Sequence, residues 1–375
     1  METFTSSGQA LGRLGPSRWV VMVFGALPME LVQLKIVRNF KGRSEAKVQK
    51  ILEKSPERVE PRCPIFSKCS GCQYQHLTYE AQLYWKREHV QQAFNRIAKI
   101  DVTVEATVPS PLQYHYRTKL TPHPQEAPPR RQRLVQAMNE EGAHPPPSIG
   151  FLEQDWGSER DASGRRWRKV VDVTSCPIAT EALNAALPAE RAKVQAKVLH
   201  GPLLLRDTVQ DGVVTDPQQV VTEVLPHFGA FSFRAGGFFQ NNSSILPAFI
   251  EHVLAVAREG SPQVLVDLYC GVGLFALSAV NDFERVYGVE VDPVAVNLAR
   301  HNAQQRGGKL HTKGSAVQFL AADAATGLRE VAKNLRDEKL VVIVDPPRQG
   351  LHQEAREALV KLRAQRICYV SCDCA

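Results

Sequence analysis

An acid and a thiol near the end of the chain could do chemistry together, because each follows a short apolar run. Asp345 follows Val341–Val344, and Cys372 follows the run 367–371. Parallel sheets carry their ligands at the carboxyl ends of the strands, so we expect both side chains at one rim. A lone cysteine is more often a packed apolar residue, but a thiol at such a rim can act as a nucleophile when its pKa is lowered or a base lies near.

A glycine turn upstream could hold a ligand for this chemistry. The apolar run Val264–Leu268 leads directly into Tyr269, Gly271 and Gly273. Glycines after the first parallel strand let a ligand approach the backbone closely. The next predicted strand ends in Glu290, at the spacing of about 20 residues where an acid accepts hydrogen bonds from ribose hydroxyls. The third ends near Asp323, where an acid can reach an adenine amino group.

The same turn is compatible with a dinucleotide-binding domain or with a purely structural turn. The dinucleotide fingerprint needs a third glycine, but Ala276 and Leu277 occupy that region. The sequence shows no diphosphate cradle. An adenosine ligand without a diphosphate fits better, and we therefore predict S-adenosylmethionine as the cofactor.

The acid and the thiol together suit methyl transfer to carbon 5 of uracil. The rigid turn Asp345-Pro346-Pro347 can point its acid into a cleft and hold a base near a methyl donor. Carbon 5 of uracil is a poor nucleophile, but a thiolate that adds to carbon 6 creates an enolate that can attack a methyl group. A base must then remove the carbon-5 proton, and the uracil must leave any helical stack.

These motifs occur in the order typical of one family. The segments 237–242, 267–273, 345–348 and 371–372 resemble those of the RNA (uracil-5-)-methyltransferases, which are class I enzymes dependent on S-adenosylmethionine. The resemblance implies that Cys372 is the catalytic nucleophile. It also implies that S-adenosylmethionine is bound by Gln240, Tyr269, Glu290, Asp323 and Asp345, to which the turn adds Gly271 and Gly273.

The chain departs from the family pattern at three places. Leu274 stands where asparagine is frequent, and Asp373 and Cys374 replace the usual asparagine and proline. The family also continues beyond the position of Ala375 with a segment that carries a catalytic glutamate. We therefore expect a truncated methyltransferase domain that could trap a covalent RNA adduct. The alternative is an RNA-binding protein with a degenerate or fragmentary methyltransferase fold and no turnover.

A cysteine cluster in the first half indicates a metal site. Cys63, Cys69 and Cys72 have the spacing C-x5-C-x2-C, and Cys176 could be a fourth ligand. Thiols at this density suggest an iron–sulfur cluster or zinc, although zinc sites more often show two C-x2-C pairs. The segment through His76 resembles the four-iron four-sulfur motif of part of the same family. We predict a structural [4Fe–4S] cluster, with zinc as the alternative.

The predicted partner is RNA, either tRNA or rRNA. Residues 1–56 resemble the TRAM domain, an OB-like barrel that binds RNA. Met29 stands where glycine is usual in that domain. In the central part, residues 116–119 resemble a Tyr-Arg-Asn-Lys strand. Arg117 and Lys119 lie two positions apart, on one face of that strand, and we expect both to contact RNA.

The surrounding pattern predicts three regions. An OB-like barrel at 1–56 is followed by a central α+β domain at 57–235, with a helix over 78–98 and a Pro- and Arg-rich loop at about 122–168. From 236 to 375, strands alternate with helices, which predicts an α/β, Rossmann-like methyltransferase domain. Strands are expected at 264–268, 286–291, 319–322, 341–344 and 367–371.

Composition is consistent with this organisation. The chain has 375 residues, 43% hydrophobic and 23% charged, and its formal net charge of +7 favours a polyanionic partner. No apolar run approaches the roughly 18 residues of a membrane span, and no secretory signal is present. We expect a monomer of the cytoplasm or an organelle matrix, where the 8 cysteines are reduced.

Overall fold

The computed structural model describes residues 1–125, 147–154, 169–196, 201–306, 316–336 and 338–373. Within them the chain forms two compact units. The first consists of Met1–His115 and Leu120–Leu203, and the second of Tyr116–Lys119 and Leu204–Asp373. Each unit is described by itself below.

The first unit begins with a five-stranded sheet in the order β1-β2-β3-β5-β4. Its strands are β1 Thr3–Phe4, β2 Gln9–Leu14, β3 Trp19–Phe24, β4 Leu31–Phe40 and β5 Arg43–Glu53. Only β3 and β5 pair in parallel, and irregularities in the β4–β5 register bend the long hairpin. The apolar runs of the sequence at 19–24 and 31–37 lie in β3 and β4. Closure of the sheet into an OB-like barrel stays a prediction.

A turn before β4 places Met29 in a backbone conformation that favours glycine. Met29 adopts a φ of 64°, in the left-handed region where a side chain is strained. The next residue, Glu30, is 2% exposed and accepts hydrogen bonds from Leu27 N at 2.8 Å and from Arg58 Nε at 2.5 Å and Nη2 at 2.9 Å. Burial alone would raise the pKa of Glu30, but these hydrogen bonds hold it below its usual value.

Helix α1, Tyr79–Ala93, packs on this sheet. Thr78 caps it by accepting a hydrogen bond from Ala81 N at 3.3 Å, as the sequence predicts. The helix continues as one π-helical turn, Phe94–Ala98. Ala81 and His89 are buried, whereas Ile97 in the π-helical turn is 67% exposed. The wider turn rotates the last residues away from the periodicity of the α-helix.

The rest of the first unit contains a small sheet and one helix. The sheet has the order β7-β8-β9, with β7 His123–Pro124, β8 Ile149–Leu152 and β9 Val170–Asp172, and the helix is α2, Glu181–Gln195. Strands β7 and β8 fall within the predicted loop at 122–168, so that prediction is too broad. Residues 126–146 and 155–168 of the loop lie outside the described residues.

The second unit contains a parallel sheet in the order β16-β15-β14-β17-β18. Its strands are β14 Val264–Leu268, β15 Arg285–Glu290, β16 Ala316–Ala321, β17 Leu340–Val344 and β18 Arg366–Tyr369. Helices α3 Leu246–Arg258, α4 Leu274–Ser278, α5 Pro293–Gln305, α6 Ala324–Lys333 and α7 Gln353–Leu362 connect or flank them. Strands β14 and β17 are buried throughout, and their side chains alternate between two apolar clusters. The predicted α/β architecture and its five strands are confirmed.

Shorter strands precede this sheet. They are β6 Lys119–Leu120, β10 Leu205–Thr208, β11 Gly212–Val214, β12 Val220–Leu225 and β13 Gly229–Arg234. Strands β12 and β13 form an antiparallel hairpin that packs on α5 through Asn302, whose Oδ1 accepts from Ser232 N at 2.8 Å. Among the described residues, no helix has both the length and the apolar character needed to cross a bilayer.

Glu30 should contribute strongly to the stability of the first unit. Replacing Glu30 by alanine is expected to lower the free energy of unfolding by roughly 2–4 kcal/mol, because Arg58 and the Leu27 amide lose a buried acceptor. Urea unfolding of the chain, followed by tryptophan fluorescence, measures the change. The exposed pair of Glu2 with Arg13 provides the control, since Glu2→Ala should cost less than about 1 kcal/mol. Equal losses in the two variants would contradict the prediction.

Candidate active site

A cavity of about 1670 Å³ lies at the carboxyl ends of the parallel strands of the second unit. It forms beside β14 and β17, where the strand order reverses and open α/β sheets bind ligands. Most of the predicted site residues line it, namely Gln240, Tyr269, Gly271, Glu290, Asp323, Asp345 and Cys372. The structure therefore brings residues from separate motifs to one place.

The turn after β14 has an unusual backbone. Tyr269, Gly271 and Gly273 have φ values of 66°, 54° and 91°, all in the left-handed region. The space beside Gly271 is open, so a ligand can approach its backbone. A Cβ on Gly273 would lie 3.1 Å from Leu277 and 3.2 Å from Phe319. Gly273 is not among the residues that line the cavity, and its position instead allows close packing of the turn.

Glu290 is oriented by two backbone amides. Its Oε2 accepts from Gly271 N at 3.1 Å, and its Oε1 accepts from Asp292 N at 2.9 Å. These bonds join the end of β15 to the glycine turn and fix the plane of the carboxylate. The remaining lone pairs of a carboxylate held in this way can accept hydrogen bonds from hydroxyl groups of a ligand.

Asp323 and Asp345 line the cavity in different electrostatic environments. Asp323 begins α6 and accepts from Thr326 N at 3.0 Å, and this backbone hydrogen bond lowers the pKa of the Asp323 carboxyl. Asp345 follows β17, and burial raises the pKa of its carboxyl to about 6. Near neutral pH both acids are ionised, but Asp345 is close to its protonation midpoint.

Asp267 is a functional candidate that the sequence reasoning did not single out. It is 0% exposed within β14, and its Oδ2 accepts from Ala276 N at 2.8 Å, in the helix that follows the glycine turn. Its Oδ1 has no hydrogen-bond partner among the described residues. Burial, together with the charges of Asp345 and Glu290, raises the pKa of Asp267 to about 8. The signal in the sequence is an acid inside an otherwise apolar parallel strand.

Cys372 follows β18 and is exposed at the cavity. The hydroxyl of Ser371 donates to Asp373 O at 2.6 Å and accepts from Asp373 N at 3.2 Å. These two bonds form a tight turn around the cysteine. The thiol is thus presented to the cavity rather than packed in the core, unlike the buried Cys368 four residues earlier.

Arg117 and Lys119 lie beside the segment that carries Gln240. Arg117 Nε donates to Lys119 O at 2.9 Å, and Lys119 Nζ donates to Gly236 O at 2.9 Å and Gly237 O at 3.1 Å. The ammonium group of Lys119 is therefore engaged by two backbone carbonyls. RNA contact by Arg117 and Lys119 stays a prediction.

The four cysteines of the predicted metal site all lie in the first unit. Burial, with a smaller contribution from the charge of Cys176, raises the pKa of the Cys63, Cys69 and Cys72 thiols, that of Cys72 to about 11. Sulfur also accepts hydrogen bonds, from Gln75 Nε2 to Cys72 at 3.2 Å and from Gly71 N to Cys69 at 3.4 Å. In the described part of the chain, no three His, Cys, Asp or Glu side chains have the geometry of a metal site.

Comparisons with known proteins show the family to which the chain belongs. The family model for tRNA (uracil-5-)-methyltransferase matches residues 180–375. A tRNA (uracil(54)-C(5))-methyltransferase from Schizosaccharomyces pombe is 32% identical over 98% of this chain and 68% of its own length. The chain belongs to the tRNA (uracil-5-)-methyltransferase family. The predicted family and enzyme class are confirmed.

Two further similarities are consistent with this membership. A Saccharomyces cerevisiae protein with the same description is 29% identical over 98% of this chain and 65% of its own length. The chain thus spans about two thirds of each of the two yeast relatives. A crystal structure of the Pyrococcus abyssi tRNA (uracil-54, C5)-methyltransferase with S-adenosyl-L-homocysteine shares the fold, with a TM-score of 0.64 and 22% identity over 98% of this chain and 91% of that chain.

The buried acid Asp267 should make stability depend on pH. Its pKa is raised in the folded state, so the native state binds a proton that the unfolded state releases, and stability falls as pH rises from about 4 towards 8. Asp267→Asn keeps an acceptor for Ala276 N without this titration. We expect the variant to gain more than about 1 kcal/mol relative to the wild type between pH 5 and 8, the equivalent of one pKa unit.

Urea unfolding at several pH values measures this difference. Asp282→Asn serves as the control, because Asp282 is an exposed acid paired with Arg258. A constant difference between Asp267→Asn and the wild type over this pH range would contradict the prediction.

Proposed function

We propose that the chain methylates carbon 5 of a uridine in RNA, using S-adenosylmethionine and a covalent bond between Cys372 and the uracil. The observation that carries this proposal is the exposure of Cys372 in the same cavity as Gln240, Glu290 and Asp345. Family membership supports it independently.

The cavity residues fit S-adenosylmethionine. Glu290, with both oxygens oriented by backbone amides, would accept from the ribose hydroxyls. Asp323 would accept from the adenine amino group, and the open space beside Gly271 would admit the ligand. Gln240, Tyr269 and Asp345 would line the remainder of the site. When bound, S-adenosylmethionine supplies an electrophilic methyl group.

The exposure of the Cys372 thiol at the cavity supports its proposed role as the nucleophile. Its thiolate forms a bond to carbon 6 of uracil, and the electron pair of the 5,6 double bond moves towards carbon 5 and the 4-oxygen. Carbon 5 becomes nucleophilic and can accept a methyl group. Release of the product requires a base that removes the carbon-5 proton, after which the double bond forms again and the sulfur leaves carbon 6. The oriented turn at Ser371–Asp373 keeps the thiol at the cavity during these steps.

The substrate class that we propose is tRNA. The sequence leaves tRNA and rRNA open, whereas the matching family and both yeast relatives are described as tRNA methyltransferases. Methylation of a tRNA transcript, but not of the same transcript with cytidine at the target position, would test this choice. Preferential methylation of rRNA fragments would contradict it.

The five-stranded sheet of the first unit offers a surface suited to RNA. The guanidinium groups of Arg38 and Arg43 lie 5.6 and 4.8 Å from the centre of the Phe40 ring. Lys35 and Lys41 are exposed nearby in the sequence. Aromatic rings interleaved with cationic side chains are typical of surfaces that bind single-stranded nucleic acid. We propose that this surface performs the RNA-binding role expected of a TRAM domain.

Loss of the thiol should abolish covalent capture of RNA. With RNA that carries 5-fluorouridine at the target, the wild type should form an adduct that survives denaturing electrophoresis, since fluorine cannot leave as a proton. Cys372→Ala should form none and lose methylation by at least about 10³-fold, because the alternative attack by unactivated carbon 5 is slow.

Two controls distinguish the role of Cys372 from a general defect. Cys368→Ala removes a buried thiol from the same strand and should keep adduct formation. Cys372→Ala should still bind S-adenosylmethionine. An adduct in Cys372→Ala would exclude this residue as the nucleophile.

We further propose that Cys63, Cys69, Cys72 and Cys176 hold a [4Fe–4S] cluster. The support is the C-x5-C-x2-C spacing of the first three cysteines and the N–H donors that point at Cys69 and Cys72. Thiols whose pKa is raised by burial are protonated when they hold no metal, so cluster binding would release protons. The role would be structural, because the proposed methyl transfer moves no electrons through this site.

Anaerobic purification should give a brown protein with about four irons and four sulfides per chain. Cys176→Ser should lose most of both and unfold at lower temperature, because the cluster no longer ties α2 to the cysteine segment. Ser175→Ala is the matched control and should keep the metal. Stoichiometric zinc without sulfide would support the alternative metal and contradict the cluster.

A further inference from the structure

The segment Gly236–Asn242, which we call the glutamine segment, carries Gln240 into the cavity but is itself held by cations. Lys119 Nζ donates to Gly236 O at 2.9 Å and to Gly237 O at 3.1 Å. Gly237 and Gln240 both line the cavity. The ammonium group thus forms hydrogen bonds to the backbone of the segment that lines the proposed cofactor site.

Arg206 completes this support from the interior of the second unit. It is 1% exposed, and it donates to Ala235 O at 3.3 Å, to Gly237 O at 3.2 Å and to Asn241 Oδ1 at 3.3 Å. The backbone of Thr118 donates to Asn241 O at 2.9 Å. Both ends of the glutamine segment are therefore attached, one through Lys119 and Arg206 and the other through the backbone of Thr118, which precedes β6.

The two glycines of the segment are closely packed. A Cβ on Gly236 would lie 2.7 Å from the Pro217 Cβ, and a Cβ on Gly237 would lie 3.1 Å from Arg234 O. Pro217 and Arg234 also line the cavity. A shift of the segment would therefore change the cavity wall itself.

We propose that Lys119 is a positioning residue of the cofactor site, whose ammonium group holds Gly236 and Gly237 so that Gln240 keeps its place in the cavity wall. This inference rests on the proposed function, since it assumes that the cavity binds S-adenosylmethionine. It differs from the expectation that Lys119 contacts RNA, because the hydrogen-bonding protons of Lys119 are directed at protein carbonyls.

The electrostatic surroundings of Lys119 make its role testable through the pH dependence of cofactor binding. Burial, together with the charges of Arg206 and Arg117, lowers the pKa of the Lys119 ammonium to about 8. Glu223 faces Arg206 and partly balances this positive cluster. Above about pH 8 the amine is neutral and donates weaker hydrogen bonds, so the hold on the glutamine segment weakens.

Equilibrium dialysis of S-adenosylmethionine with the full chain, without RNA, tests the inference. Lys119→Met should weaken binding about tenfold at pH 7, as expected for the loss of charge-assisted hydrogen bonds. Wild-type affinity should fall between pH 7 and 9.5. Lys119→Arg stays charged, so its affinity should not show the part of the fall that comes from deprotonation of Lys119. The titration of the ligand's own amine affects both proteins equally. Lys333→Met, which removes an exposed lysine of the same unit, should bind like the wild type.

The outcomes separate the inference from the proposed function. Failure of the wild type to bind S-adenosylmethionine would overturn both. Wild-type binding that Lys119→Met leaves unchanged would overturn the inference alone. The inference would also be overturned if Lys119→Met bound the cofactor normally but lost RNA affinity with a shallower salt dependence, which is the behaviour of a phosphate contact. Equal pH profiles for the wild type and Lys119→Arg would also contradict it.

Discussion

The candidate site depends on the parallel register of the sheet in the second unit. Parallel strands direct all their carboxyl ends to one edge, and the residues that follow β14, β15, β17 and β18 include Tyr269, Asp345 and Cys372. No local propensity could bring together residues more than one hundred positions apart. The apolar content of the strands is therefore as necessary to the chemistry as the polar residues at their ends.

The sequence predicts this part of the molecule well for a physical reason. Strands that are buried on both faces are nearly continuous apolar runs, so their ends and the residues after them are easy to find. Helix α1 is harder to predict. Its start at Thr78 is encoded locally by a capping side chain, but its buried face is set by rings from elsewhere, including Phe4 and Tyr74, and by a π turn that no periodicity indicates.

The supporting residues behind the cavity could not be found from motifs. Asn302 shows why, because its amide joins Ser232 of the hairpin to Val272 of the glycine turn, with Nδ2 at 3.0 and 3.2 Å from their carbonyl oxygens. Arg206 and Asp267 act in the same way, through backbone groups rather than through a ligand. Such residues are determined by which carbonyls and amides the tertiary fold leaves unpaired, and a linear pattern does not contain that information.

The acidic and the basic residues of the cavity favour two different ligands of the proposed reaction. Glu290, Asp323 and Asp345 favour a cofactor that carries a positive sulfonium, and they disfavour the phosphates of RNA. Arg234 and Arg348 line the same cavity and are exposed, so they can meet a polyanion at its opening. The target base can then enter as a neutral group while its phosphates stay outside. In the proposed reaction, the acids would discriminate between cofactor and RNA backbone by the sign of their charge, and Cys372 would lie where the two ligands meet.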